Sequence, residues 1–375
     1  MKRIVIIFLL LALLPMRSLA LEPEGKGVIL MEASTGTVLF EKDADLPLAP
    51  ASVTKVMTML LIMEAIDSGA LRWEDTVTAS ASAAAKGGSQ VYLKEGETMT
   101  VRDMLKSIAV SSANDCACAM AEHIAGSEEA FVERMNARSK ELGMEHTHFV
   151  NCTGLDDSPE AAEHKTTARD IAIMSRELLT KHPAIKEFTT IWMDTIRDGA
   201  FGLSNTNKLV RFYPGATGLK TGFTASAMYC LSATAEGEGM ELIAVVMGAP
   251  SSAARFTACK QLLDYGFAGW AVYTPELPED TAVPVRLGKA ETVRAALEAE
   301  TLLVEKGKLA SIRTEREMEE ELPAPVAEGQ PLGKLRIWAG EELLAELPLT
   351  AENAVEKLSW ADIFLDLLKK VAFSE

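Results

Sequence analysis

Apolar residues recur along this chain in two rhythms, and their order predicts the architecture. Alternation from Val28 to Lys42 around Ser34-Thr-Gly36 predicts a β-hairpin. The chain then enters Pro50-Ala-Ser-Val-Thr-Lys-Val-Met-Thr-Met59, and Val56, Met57, Met59, Leu60, Leu61, Met63 and Ala65 follow with Glu64 as the first acid. A helix apolar nearly all round is a buried one, and Asp67-Ser-Gly69 ends it. Residues 71 to 215 read mostly helical, with 3.6-residue spacing over 101–110, 114–125, 128–142 and 167–181. Strands are predicted at 217–224, 228–236 and 241–248, the last two joined by Glu236-Gly-Glu-Gly239, before a closing helix from Arg255 to Phe267. The pattern is α+β: one antiparallel sheet with helices on both faces and a helical block inserted between the early hairpin and the later strands.

The texture changes beyond Trp270. Pro275, Pro278 and Pro284 with Glu276, Glu279 and Asp280 read as a linker. Short alternating segments at 281–287, 301–305, 334–338 and 342–347 predict a small all-β domain. The tail from Ser359 to Glu375 sets Trp360, Ile363, Phe364, Leu367, Leu368 and Val371 on one helical face. Such a face docks on its own domain or lies in a membrane interface; Lys369 and Lys370 favour the membrane, while Asp362, Asp366 and Glu375 oppose it. The expected division is a leader over 1–20, a main domain over 21–270, a β domain over 271–357 and a tail helix over 358–375.

The leader reading rests on Lys2 and Arg3, an apolar run from Ile4 to Leu14, and small residues at Ser18 and Ala20. That run is short of the roughly 20 residues a membrane span needs. A secretory signal cleaved after Ala20 is expected, which places the mature chain outside the cytoplasm. The formal net charge of −17 argues against nucleic acid or an anionic surface as the main partner. Five cysteines are an odd number for an exported protein; Cys116 and Cys118 lie two apart on a helix and point to different sides. His146 and His148, read as part of a strand, lack a third ligand at sensible spacing, so no metal and no cofactor is expected.

Three short segments carry candidate chemistry. Ser52 and Lys55, three residues apart at a helix start, share one face, and an amine with a lowered pKa can take the proton of a weakly nucleophilic hydroxyl. Ser112-Ala-Asn114 interrupts two apolar helices. Lys220-Thr-Gly222 lies on a predicted strand, its glycine marking close approach to the backbone. Singly, these would be caps and a solvated lysine; in this order they form a set.

The set resembles the motifs of penicillin-binding proteins and serine β-lactamases. Asn114-Asp115, Asn151-Cys-Thr-Gly-Leu-Asp156, His164-Lys-Thr-Thr-Ala-Arg-Asp170, Arg255-Phe256 and Leu262-Leu-Asp-Tyr-Gly266 make it most similar to the low-molecular-mass D-alanyl-D-alanine carboxypeptidases, over about residues 25 to 350. The resemblance implies Ser52 as nucleophile, Lys55 as base and Ser112 as proton relay, with Asn114 binding the substrate amide. It implies Lys220, Thr221, Thr224 and Arg255 near the substrate carboxylate, and the backbone of Ser52 and Phe223, just after Gly222, as oxyanion donors. Peptidoglycan stem peptides and β-lactam antibiotics are the implied ligands. A class A β-lactamase is the rival, but no Glu-x-x-Leu-Asn lies between Asn114 and Lys220. An inactive wall-binding module is the other, which the intact Ser52, Lys55 and Lys220 oppose.

Overall fold

The structure is a computed structural model that describes residues 21–298 and 300–372; the side chains of Asp366 and of residues 369–372 are outside that description. The expected leader and the contributions of Lys369, Lys370, Val371 and Glu375 to the tail therefore lie outside the described residues. Its centre is a five-stranded antiparallel sheet in the order Val38–Lys42, Gly27–Glu32, Met240–Ala249, Met228–Gly237, Ala216–Thr224. The inner strands alternate between two buried faces: Ile29, Met31, Ile243, Val245 and Met247 join one core, while Val28, Leu30, Leu242, Ala244 and Val246 join the other. Burial on both sides explains why these strands read as almost continuous apolar runs. The strand Ala216–Thr224 is left at an edge of the sheet.

One face is covered by the helix Ser252–Gly269 and the other by Ala168–Lys181 and Lys55–Asp67. Lys55–Asp67 also packs against Val101–Ser111, Asn114–Ala125 and Glu128–Glu141, which is why it is apolar nearly all round. Helix starts are set by side chains. Thr100, Ser127, Thr167 and Ser251 each accept the backbone N–H three residues on, at 3.0 to 3.2 Å, and each such cap contributes about 1 kcal/mol.

The region 71–215 is less uniformly helical than its pattern predicts. Thr76–Thr78 pairs with Thr98–Thr100, and Met193–Ile196 with Phe201–Ser204. Strands of three or four residues are too short for a period of two to emerge. His148 forms only an isolated bridge to Lys165, so the histidine pair is not on a strand.

The C-terminal β domain holds a six-stranded sheet in the order Ile312–Met318, Pro331–Ala339, Glu342–Ala351, Thr292–Leu297, Ala282–Arg286, Leu322–Pro323. Besides the two-residue strand Leu322–Pro323, the pattern missed Thr292–Leu297 and Ile312–Met318. The latter is an edge strand reading Ile-Arg-Thr-Glu-Arg-Glu-Met, mostly exposed, so it carries no apolar alternation. Pro284 is in a strand rather than a linker. Trp270–Tyr273 is itself a strand and pairs with Leu302–Glu305, so the expected boundary after Trp270 falls inside a ladder.

Candidate active site

Ser52 lies in a tight helical turn, Ala51–Thr54, that runs directly into the helix Lys55–Asp67. Ala51 holds a left-handed φ of +48°, unusual for a residue with a Cβ and of the kind found where surrounding contacts impose it. The turn brings Lys55 Nζ to 3.0 Å from Ser52 Oγ and 2.7 Å from the carbonyl of Thr153. Lys55 is fully buried, and that burial lowers its pKa to about 7, against some opposition from Asp115. Near neutrality, therefore, a large fraction of this amine has a free lone pair beside a serine hydroxyl.

The second segment follows the helix Val101–Ser111. Ser112 takes a left-handed φ of +62°, and Asn114 starts the next helix. Both are nearly fully buried, and among the described residues Ser112 Oγ and Asn114 Oδ1 have no hydrogen-bond partner. Two unpaired polar atoms in a native site are groups prepared for a ligand. Asn114 is held from behind, its Nδ2 donating to the Gly87 carbonyl and its N–H to Ser89 O, both at 2.7 Å. Asp115 accepts the Val91, Leu93 and Cys116 N–H groups and so folds the 87–93 loop against it.

The third segment is the edge strand. A Cβ on Gly222 would stand 2.7 Å from Pro50 O and 3.1 Å from Ser52 N, so only glycine lets the strand lie against the nucleophile turn. Lys220 is buried and donates to Thr221 O at 2.9 Å; burial takes its pKa well below the ordinary ammonium value, with Lys55 and Arg255 adding to the effect. The edge strand thus lies against the nucleophile turn at Gly222, Lys220 feels the charge of Lys55, and Thr206 joins the end of the helix Val101–Ser111 to Thr221.

Residues 16–251 match the family described as D-alanyl-D-alanine carboxypeptidase (peptidase S11), and residues 277–357 match the C-terminal domain of penicillin-binding protein 5. The chain belongs to the D-alanyl-D-alanine carboxypeptidase family. It is 42% identical over 361 residues to the carboxypeptidase DacF of Bacillus subtilis, covering 94% of this chain and 90% of that one. Among solved structures, penicillin-binding protein 5 of Haemophilus influenzae is 29% identical with a TM-score of 0.78, over 90% of this chain and 98% of that one. Penicillin-binding protein D2 of Listeria monocytogenes in its ampicillin-bound form is 32% identical with a TM-score of 0.60, over 66% of this chain and 98% of that one.

In this carboxypeptidase-family chain, Thr221, Phe223 and Thr224 lie in the edge strand itself, and Arg255 in the helix Ser252–Gly269. Thr221 Oγ1 lies 2.6 Å from Thr206 Oγ1, and Thr224 Oγ1 accepts the Ala227 N–H at 3.1 Å. Phe223 is 54% exposed and packs tilted against Tyr229 at 4.4 Å between ring centroids. Arg255, which the resemblance places near the substrate carboxylate, keeps a buried Nε with no partner among the described residues. It is buried, its Nη1 donates to Gly222 O at 2.9 Å and Cys230 O at 3.2 Å, and its guanidinium lies over the rings of Tyr229 and Phe256.

Several supporting residues carry no signal in the sequence pattern. Thr206 links the two sides of the site, because its N–H donates to Val110 O while its hydroxyl meets Thr221. Glu128 accepts the Cys152 N–H at 3.2 Å and is paired with Lys86, which anchors the 151–154 loop beneath Lys55. All five cysteines are buried and free. They behave as small apolar side chains, and an odd number needs no pairing to explain it.

Proposed function

We propose that the chain is a serine-type D-alanyl-D-alanine carboxypeptidase acting on peptidoglycan stem peptides, with Ser52 as nucleophile and Lys55 as its base. Ser52 Oγ attacks the carbonyl of the terminal D-alanyl-D-alanine bond while its proton passes to neutral Lys55 Nζ. The peptide C–N bond breaks, Ser112 relays a proton to the departing amine, and D-alanine leaves an acyl-enzyme that water hydrolyses. The N–H groups of Ser52 and Phe223 receive the developing oxyanion, and the unpaired Asn114 Oδ1 accepts a substrate amide N–H. Lys220, with Thr221 and Thr224, takes the substrate carboxylate, whose charge favours the protonated form of Lys220. Arg255 holds the strand carrying them through the Gly222 carbonyl.

The observation that carries this reading is the 3.0 Å contact between Ser52 Oγ and a fully buried amine whose pKa is lowered to about 7. A β-lactam places a strained acyl group in the same position, and a similar protein, penicillin-binding protein D2, has been solved in an ampicillin-bound form. The test combines labelled penicillin with D-alanine release from a stem pentapeptide. A long-lived adduct together with D-alanine release is expected; rapid penicillin turnover would make the protein a β-lactamase, and no label would make it a binding module. The acylation rate is expected to rise with pH through about 7 and level off above it, because the base works only when unprotonated. A rate that falls as pH rises through that range would remove Lys55 as the base.

Export through the leader fits a cell-wall substrate, and no helix among the described residues is long and apolar enough to cross a membrane. The helix Trp360–Ala372 exposes Trp360, Phe364, Leu365, Leu367 and Leu368, an apolar surface suited to lying in a membrane interface. Full-length protein is expected to float with phospholipid vesicles and a chain ending at Ser359 to stay in solution. Equal flotation of the two would assign that helix another partner.

A further inference from the structure

We propose that His164 is a positioning residue for the nucleophile, acting on Ser52 through the Thr54 hydroxyl and the Ala51 carbonyl. The inference rests on the acyl-transfer reading above and adds to it a group that never touches substrate. His164 is 3% exposed and packs edge-on against Phe149. Its Nδ1 lies 3.2 Å from the Val150 N–H, its Nε2 lies 2.8 Å from Thr54 Oγ1, and that hydroxyl lies 2.8 Å from Ala51 O. A backbone N–H can only donate, so Nδ1 accepts and the ring proton is on Nε2. Nε2–H then donates to Thr54, and the Thr54 hydroxyl keeps its own hydrogen for Ala51 O. Every donor and acceptor in the chain has one assignment.

A second proton on the ring would set two N–H groups against each other at Val150. Burial prevents this by lowering the pKa of His164 to about 3, helped by the charges of His148, Lys165 and Lys55, so the ring keeps its donor direction at neutral pH. A neutral imidazole is thus a fixed strut here rather than an acid or a base.

The two ends of the strut are what give it consequence. Val150 opens the loop that carries Thr153, whose carbonyl accepts Lys55 Nζ at 2.7 Å. Ala51 holds the left-handed conformation that aims Ser52 at the same amine. His164 therefore ties the base's anchor to the nucleophile's turn, and the separation of Ser52 Oγ and Lys55 Nζ depends on both. A nucleophile displaced by an ångström can lose on the order of a hundredfold in rate.

The test uses the full chain, following the acylation rate constant at saturating labelled penicillin, the dissociation constant of the preceding non-covalent complex, and the melting temperature. His164→Asn keeps an acceptor for Val150 but is too short to reach Thr54; Thr54→Val cuts the same link from the other side, and Thr54→Ser preserves it. Acylation is expected to slow about tenfold or more in His164→Asn and Thr54→Val, with the dissociation constant unchanged and Thr54→Ser within about twofold of the parent. Acylation at the parent rate in either variant, or a loss confined to the dissociation constant, overturns the proposal. If His164→Asn does not fold, the contrast between Thr54→Val and Thr54→Ser decides it alone. A parent protein that takes no label would instead refute the acyl-transfer reading, so the two failures are distinguishable.

Discussion

Ser52→Ala is expected to give a folded protein that takes no covalent label from penicillin and releases no D-alanine above background. Its acylation rate should fall by on the order of 10⁴-fold or more, because the atom that forms the bond is gone and the oxyanion donors alone retain little of the rate. Stability should change little. The Ser52 side chain is only partly buried, and among the described residues its Oγ is bonded to Lys55 alone. Removing it leaves Lys55 its carbonyl acceptor at Thr153. Mass spectrometry of the intact protein after incubation with penicillin, with thermal melting alongside, is the measurement. A covalent adduct on the variant would move the nucleophile elsewhere and end the assignment of this cleft.

The second large effect concerns a residue that bears no side chain. Gly154 has φ of +80°, and a Cβ built there would stand 1.8 Å from Ala51 O and 2.7 Å from Thr54 Oγ1. Backbone has to move for any other residue to fit, and the backbone in question is the nucleophile's own turn. Gly154→Ala is expected to cost about 4 kcal/mol or more in urea unfolding and to abolish penicillin labelling of whatever remains folded. Gly126→Ala is the control, since Gly126 has φ of +88° with nothing within 4 Å of the added carbon. It should cost only about 1 kcal/mol and leave labelling intact, because conformational strain is then the whole effect. If the two variants were equally stable, the packing of the 151–154 loop against Ala51 would not be what holds the turn.

These two positions differ in how they could be known from sequence. Ser52 is legible because its spacing to Lys55 puts both on one helical face, whatever surrounds them. Lys220 and Asn114 are legible as members of an ordered set of short motifs. Gly154 is legible as part of a stretch that carries the family resemblance, but its purpose depends on Ala51 lying across from it. His164 lies in a stretch that carries the family resemblance and Thr206 does not, but both acquire their roles from partners in other segments of the chain. Arg255 shows the opposite limit: its chemistry suits a carboxylate, but that its Nη1 meets the Gly222 and Cys230 carbonyls while its Nε stays unpartnered among the described residues is visible only in the fold.

The fold divides the same way. The central strands and the longer helices followed from periodicity, because their burial is one-sided or complete over many residues. The two short strand pairs in the helical block and the charged edge strand Ile312–Met318 did not, since pairing there is decided by neighbours rather than by the residues' own pattern.

By itself, the amino-acid sequence determined the periodicities that make an α+β domain followed by a β domain, and the reactive groups available: a serine with a lysine one turn away, a second serine with an asparagine, and a lysine beside a glycine. Only the tertiary structure decided that Ser52 meets Lys55 and that Gly222 lies against their turn, that burial leaves Lys55 able to accept a proton near neutrality, and that Ala51 is held in the conformation that aims Ser52. The reason is physical: a residue's type sets its chemistry, but its pKa, its unpaired atoms and its distance to a partner are properties of the surroundings that folding assembles.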